Sequence, residues 1–325
     1  MDPIFSFLDP VKEELAETES VLMASGQSDH PWINELLDYI LMTSGKRARP
    51  AITLLSGKLF EYNKNLHIPM AVAVELLHTA SLVHDDTVDQ SKMRRNSETI
   101  NAKYGDNVAI LFGDYLFATA AEIVCTTENV QVIRIFSQTL RMLADGELRE
   151  IDQAFDPSSG LPGYWARVER KTSSLFSTSA ECGAILGKAS AADIEKMKLY
   201  GTMVGTAFQI IDDILDFEAE EKELGKPLGQ DLKQGILTLP VLLYLQNHPE
   251  NDNLVRSLKT TNEVEKESSL SHILDLIKSE GCIEQSYEIA QDYASRALQA
   301  IEATGNIVPR DSLQQIVEFI ISRKR

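Results

Sequence analysis

Apolar residues recur at intervals of three and four along most of this chain. Met197, Tyr200, Val204, Phe208, Ile211 and Leu215 share one helical face, and residues 70–88 repeat the pattern. Pro50 suits the first turn of a helix over residues 51–62, and Pro69 the first turn of the next. Breaks fall at residues 26–31, 62–69, 156–163, 218–229 and 247–253. None has the length of a linker, and strand-like alternation bounded by turns is hard to find. The pattern predicts an all-α chain, residues 1–325 forming a single helical-bundle domain of about ten or more helices.

Composition narrows the partners. A hydrophobic content of 43% is ample for a core, while a net charge of −18 argues against a nucleic-acid or anionic-membrane binder. Any phosphate site on so acidic a chain must be locally basic. Cys125, Cys182 and Cys282 are scattered and lack metal-ligand spacing, as expected of free thiols in a reducing cytoplasm. The N-terminus shows no signal-peptide pattern, and no uninterrupted apolar run approaches the ~18 residues of a spanning helix. Any membrane contact is therefore expected to be peripheral.

Two clusters of identical form carry the chemistry: Asp85-Asp86-Thr87-Val88-Asp89 and Asp212-Asp213-Ile214-Leu215-Asp216. Residues four apart stack on one helical face, so Asp85 lies beside Asp89 and Asp212 beside Asp216. Such carboxylates repel one another, and Leu82, Val83, Ile210, Ile211 and Phe217 make their surroundings apolar. A hard divalent cation relieves both problems, and Mg2+ commonly shares its shell with substrate phosphates. The clusters point to a magnesium-dependent enzyme acting on a diphosphate.

The cations complete this picture. His78 lies about two turns before Asp85, and Arg94-Arg95 follow the first cluster; guanidinium groups grip phosphate oxygens in a fork. Gly45-Lys46-Arg47-Ala48-Arg49-Pro50 is a basic loop leading into a helix N-terminus, where an anion is favoured. Lys171-Thr172, Gln209 (on the face of Asp212 and Asp216) and Lys226 are further candidates. Taken singly, each has a plainer explanation: a core histidine, a salt-bridged helix end, a basic turn, an exposed glutamine. Their company gives them weight.

Together these motifs resemble the trans-isoprenyl diphosphate synthases, or polyprenyl synthetases. The resemblance extends through Gly113-Asp114-Tyr115-Leu116, Gly225-Lys226-Pro227, Asp231-Leu232 and Thr238-Leu239-Pro240, from about residue 40 to about 245. It implies helices surrounding a deep central cavity, usually in a homodimer, and three Mg2+ ions. Asp85 and Asp89 would hold two of these and Asp212 the third, with Asp86, Asp213 and Asp216 in support. Isopentenyl diphosphate would be held by Lys46, Arg49, His78 and Arg95, and the allylic diphosphate by Arg94, Lys171, Thr172, Gln209 and Lys226. Lys171, Thr172 and Gln209 would also stabilise the allylic cation. Arg323-Lys324-Arg325 resembles a basic tail that closes over the cavity mouth. One departure is Asn96, where glycine commonly follows the arginine pair; asparagine tolerates left-handed backbone.

The implied reaction is head-to-tail condensation giving an all-trans polyprenyl diphosphate. In this family bulky residues just before the first cluster limit product length, whereas here Ala80 and Ser81 are small and Leu77 is not aromatic. The expectation is a product beyond about fifteen carbons, since each helical turn of ~5.4 Å spans roughly one isoprene unit. The alternatives are a farnesyl or geranylgeranyl diphosphate synthase, and a regulatory subunit of a heteromeric synthase. A class I terpene cyclase fits less well, because it needs no second diphosphate site.

Overall fold

The computed structural model describes residues 3–42, 47–218, 228–260 and 262–323. Its contacts divide the chain into two compact units: Met1–Leu140 with Leu175–Gly201 and Ala300–Gln315, and Arg141–Ser174 with Thr202–Gln299 and Ile316–Arg325. Both are built from helices, as the apolar periodicity predicts.

In the first unit a 3₁₀ segment, Pro3–Val11, leads into α1 (Lys12–Ala24), α2 (Pro31–Met42) and α3 (Ala48–Lys58). Then comes α4 (Lys64–Val88), whose apolar residues are buried nearly all round, from Ile68 to Val83. A helix hydrophobic on every face belongs in a core. Pro69 lies inside α4, not in its first turn. The cap explains the difference: Asn63 accepts from the Asn65 backbone N–H and starts the helix earlier than the proline suggests. Helices α5 (Ile100–Tyr104) and α6 (Asp106–Cys125) follow, with α6 packed along α4. Their close approach is set at Gly113, where a Cβ would come within 2.2 Å of His84 Nε2. That nitrogen lies 2.9 Å from the Ile110 carbonyl, so it carries the proton there.

By length and composition two described helices, α4 and α6, could cross a membrane, which the sequence reading did not anticipate. The apolar residues of α4 are spent on the core of its own unit. On α6, Ile110 and Leu111 remain exposed.

Between α4 and α5 lies one short antiparallel pair, β1 (Met93–Arg94) with β2 (Ser97–Glu98). Two-residue strands are too short to leave an alternating signature.

The chain continues through α7 (Val130–Asp152), α8 (Gly160–Val168), a π-helical turn (Glu169–Ser173), α9 (Ser174–Leu186) and α10 (Ala191–Glu218). In the second unit, Tyr164, Ile210, Ile214 and Phe217 pack with residues of the helices Leu239–Asn247 and Glu263–Ser279 to form a core. The π turn closes with Ser174 N donating to Glu169 O, one residue wider than an α turn. Periodicity gives no sign of it.

Candidate active site

The first acidic cluster closes α4. Asp85 and Asp86 occupy its last turn, and Asp89 caps it, donating from its N–H to Asp85 O at 2.8 Å. A helix C-terminus carries partial negative charge, which favours a cation there. Burial falls on Asp86, 5% exposed, and not on the stacked pair; Asp85 is half-buried and Asp89 exposed. Apolar neighbours therefore enclose the middle carboxylate, which accepts from Arg94 Nε at 2.8 Å to each oxygen.

Arg95 and Asn96 form the turn between β1 and β2, with φ of 50° and 64°. Left-handed geometry at both positions is what a tight hairpin requires, and asparagine accepts it more readily than arginine. Arg95 is thus presented from a strained turn.

On α4, His78 is held well below the usual imidazole range, first by burial and then by Arg49, Arg95, Arg94 and Arg47. Four arginines thus gather near one histidine on a chain of net charge −18, two of them, Arg47 and Arg94, paired with carboxylates. Arg95 is itself pulled down by burial and by Arg94. Glu75, 5% exposed, accepts from Arg47 Nη1 at 2.6 Å. Arg47 also donates to both Glu19 oxygens at 2.8 Å, at a backbone φ of 50°. This ties the start of α3 to α1 and α4. Arg49 stacks 4.4 Å from the Phe176 ring centre. Lys46 lies outside the described residues, as does Lys226.

In the second unit the other cluster occupies the C-terminal part of α10. Asp213, 2% exposed, accepts from Tyr164 Oη at 2.7 Å and from Gln209 Nε2 at 2.8 Å. Burial pushes its carboxyl up to about 6, while those two bonds pull it down. Thr172 Oγ1 donates to Gln209 Oε1 at 2.5 Å. Asp216 accepts the Gln230 and Asp231 N–H groups at 3.2 Å, at the start of the helix Gln230–Gln234. Burial, Asp216 and Asp213 together raise the Asp231 carboxyl well above its ordinary range. Asp212 Oδ1 accepts from Arg323 Nη2 at 2.7 Å.

Lys171 lies in the π turn, its ammonium 2.9 Å from a Glu147 oxygen and 2.6 Å from Glu150. Gly146 permits this approach, since a Cβ there would come within 3.0 Å of the Lys171 backbone nitrogen. Glu147 and Glu150 are three apart on one face of α7, a signal present in the sequence but not read from it. Tyr164 and Glu75 were missed too, and Arg47 was read only as one cation of its loop; tertiary packing identifies their partners.

Among the described residues, no three of the His, Cys, Asp and Glu side chains converge on one metal position. Mg2+ is commonly held by one or two carboxylates together with substrate phosphates and water. The donor set fits that habit, and the guanidinium already seated on Asp212 shows that this carboxylate takes a cation.

A polyprenyl synthetase family model matches residues 30–277. The chain belongs to the polyprenyl synthetase family. Heptaprenyl diphosphate synthase component 2 of Bacillus subtilis is 36% identical over 320 residues, covering 98% of this chain and 90% of that one. Octaprenyl diphosphate synthase of Escherichia coli is 31% identical over 315 residues, covering 96% and 97%. A polyprenyl synthase from Caulobacter crescentus, solved with calcium and isoprenyl diphosphate, superposes with a TM-score of 0.90 at 28% identity, covering 99% and 98%. This polyprenyl synthetase is therefore a trans-prenyltransferase that makes polyprenyl diphosphates, with relatives that make long chains. The family works with divalent metals.

Behind the first cluster, Leu77 and Ala80 are fully buried. Ser81 is partly accessible and donates from Oγ to His78 O at 2.8 Å.

Proposed function

We propose that this polyprenyl synthetase condenses isopentenyl diphosphate with an allylic diphosphate at the residues just described. The observation that supports the assignment is the gathering of Arg49, Arg94 and Arg95 near His78, beside the first aspartate cluster that Arg94 already touches. Clustered guanidinium groups suit the phosphate oxygens of a diphosphate substrate. Arg49, Arg95 and His78, with Lys46, hold isopentenyl diphosphate. Arg94, Lys171, Thr172 and Gln209, with Lys226, serve the allylic partner.

Asp85 and Asp89 would hold two Mg2+ ions and Asp212 a third, with Asp86, Asp213 and Asp216 in support. Bound there, Mg2+ supplies positive charge to the departing diphosphate. The protein's own groups do the rest. Cationic side chains orient both diphosphates, and the oxygens of Lys171 C=O, Thr172 and Gln209 stabilise the allylic cation without bonding to it. The C–O bond of the allylic diphosphate breaks, and the isopentenyl double bond attacks the cation. A proton then leaves to the released diphosphate, restoring a trans alkene. Water must be kept out, or the cation becomes an alcohol.

Small residues at Ala80 and Ser81 support a product beyond about fifteen carbons, one isoprene unit per helical turn of ~5.4 Å. Exposed Ile110 and Leu111 on α6 support a homodimer. A second reading, a subunit that needs a partner, is favoured by one observation: the Bacillus subtilis relative is named component 2. The three free cysteines suit a cytoplasmic enzyme.

The test is incubation of the purified chain with Mg2+, isopentenyl diphosphate and farnesyl diphosphate, with products sized by mass spectrometry. A ladder ending at one length supports a self-sufficient synthase. No elongation from farnesyl, geranyl or dimethylallyl diphosphate sinks that reading and favours the two-component one.

A further inference from the structure

The reaction as assigned leaves Tyr164 unused, although its ring is 1% exposed and its hydroxyl ends on the second cluster. Tyr164 Oη donates to Asp213 Oδ2 at 2.7 Å, and the other oxygen, Oδ1, accepts from Gln209 Nε2 at 2.8 Å. With its amide nitrogen committed, Gln209 turns Oε1 to the Thr172 hydroxyl at 2.5 Å. The two ends of a glutamine amide have nearly the same shape, so only its partners decide which way it faces. Here the decision is made by Asp213, and Asp213 is held by Tyr164.

We propose that Tyr164 is a positioning residue for prenyl transfer. By holding Asp213 Oδ2 it fixes the Gln209 amide, and through it the Thr172 hydroxyl. The Thr172 proton is spent on Gln209, which leaves the oxygen lone pairs to face developing positive charge. Asp213 then supports the site by anchoring Gln209, both of its oxygens being engaged by Tyr164 and Gln209, rather than by ligating metal directly. This rests on the assignment of Thr172 and Gln209 to cation stabilisation. Hydrogen bonds in an enclosed chain reinforce one another, so removing one end should weaken the far end.

The experiment compares Tyr164→Phe with Tyr200→Phe in the full-length chain. Tyr200 is also fully buried, but its hydroxyl donates to Leu313 O at 2.8 Å. Both changes remove a buried hydrogen bond, so both should lower the melting temperature. Only Tyr164→Phe should lower kcat, by roughly tenfold or more, with KM for either diphosphate kept within about twofold. The double variant Tyr164→Phe with Gln209→Ala should be no slower than Gln209→Ala alone, because Tyr164 acts through Gln209.

An unchanged kcat in Tyr164→Phe, or effects that multiply in the double variant, overturns the inference. Absence of turnover by the unsubstituted chain overturns the self-sufficient reading beneath it as well. Should Tyr164→Phe not fold, Asp213→Asn decides. The inference requires a fall in kcat with unaltered Mg2+ affinity, measured calorimetrically with inorganic diphosphate. Weakened Mg2+ binding would instead make Asp213 a metal ligand.

Discussion

Arg323 Nη2 lies 2.7 Å from Asp212 Oδ1, and its guanidinium stacks 4.5 Å from the Phe208 ring centre. The carboxylate assigned to a metal is thus already neutralised by the chain's own C-terminal segment. A metal entering there must displace a cation.

Removing that cation should make the metal easier to bind. In Arg323→Ala, the Mg2+ concentration for half-maximal activity is expected to fall by up to about fivefold, the worth of a partly exposed pair of ~1 kcal/mol. A titration of initial rate against Mg2+ checks this. A higher Mg2+ requirement would mean that Arg323 helps to hold the loaded complex.

His78 gives a pH signature. Its folded pKa lies well below the usual value, so between the two the unfolded chain binds more protons. Stability is therefore full above the unfolded pKa of ~6.5 and is lost as pH falls below it. His78→Gln should remove up to ~1.4 kcal/mol of that loss at one pH unit below. Chemical denaturation of both proteins across that range reads the difference in slope; parallel slopes would contradict it.

Ala80 tests where the growing chain runs. Ala80→Phe should shorten the product and leave the first condensation intact. Ala80 is fully buried, so the melting temperature adds a second reading. If the product tail passes this residue, the ring has room and stability changes little. If packed side chains fill the space, overpacking costs about 1–3 kcal/mol and product length is unchanged.

The Arg95-Asn96 turn should be sensitive to side-chain shape. Asn96→Gly relieves left-handed strain and should stabilise the protein slightly, whereas Asn96→Val should cost about 1–2 kcal/mol. Because the turn aims Arg95, Asn96→Val should also raise KM for isopentenyl diphosphate more than it lowers kcat. Steady-state kinetics on both variants would show this.

What the sequence made legible was periodic. Aspartates four apart, apolar stripes and a loop of three cations need only helical spacing to be recognised. Asn96 was readable too, because one backbone geometry favours it. The partnerships were hidden because they join elements remote in sequence: Tyr164 with Asp213, Lys171 with Glu147 and Glu150, Arg47 with Glu19 and Glu75. Pro69 misled because the capping preference of Asn63 outweighed it. The π turn at Lys171 and Thr172 leaves no compositional mark.

Both acidic clusters occupy the closing turns of long helices, Asp85 to Asp89 ending α4 and Asp212 to Asp216 near the end of α10. The last four carbonyls of a helix have no partner within it, and these turns fray first. A cation bound there would secure the helix end as well as the substrate. Loading should therefore appear as slowed backbone amide exchange in those two turns. The chemistry of this enzyme can in that sense be followed without watching a product form, through how often two helix ends come undone.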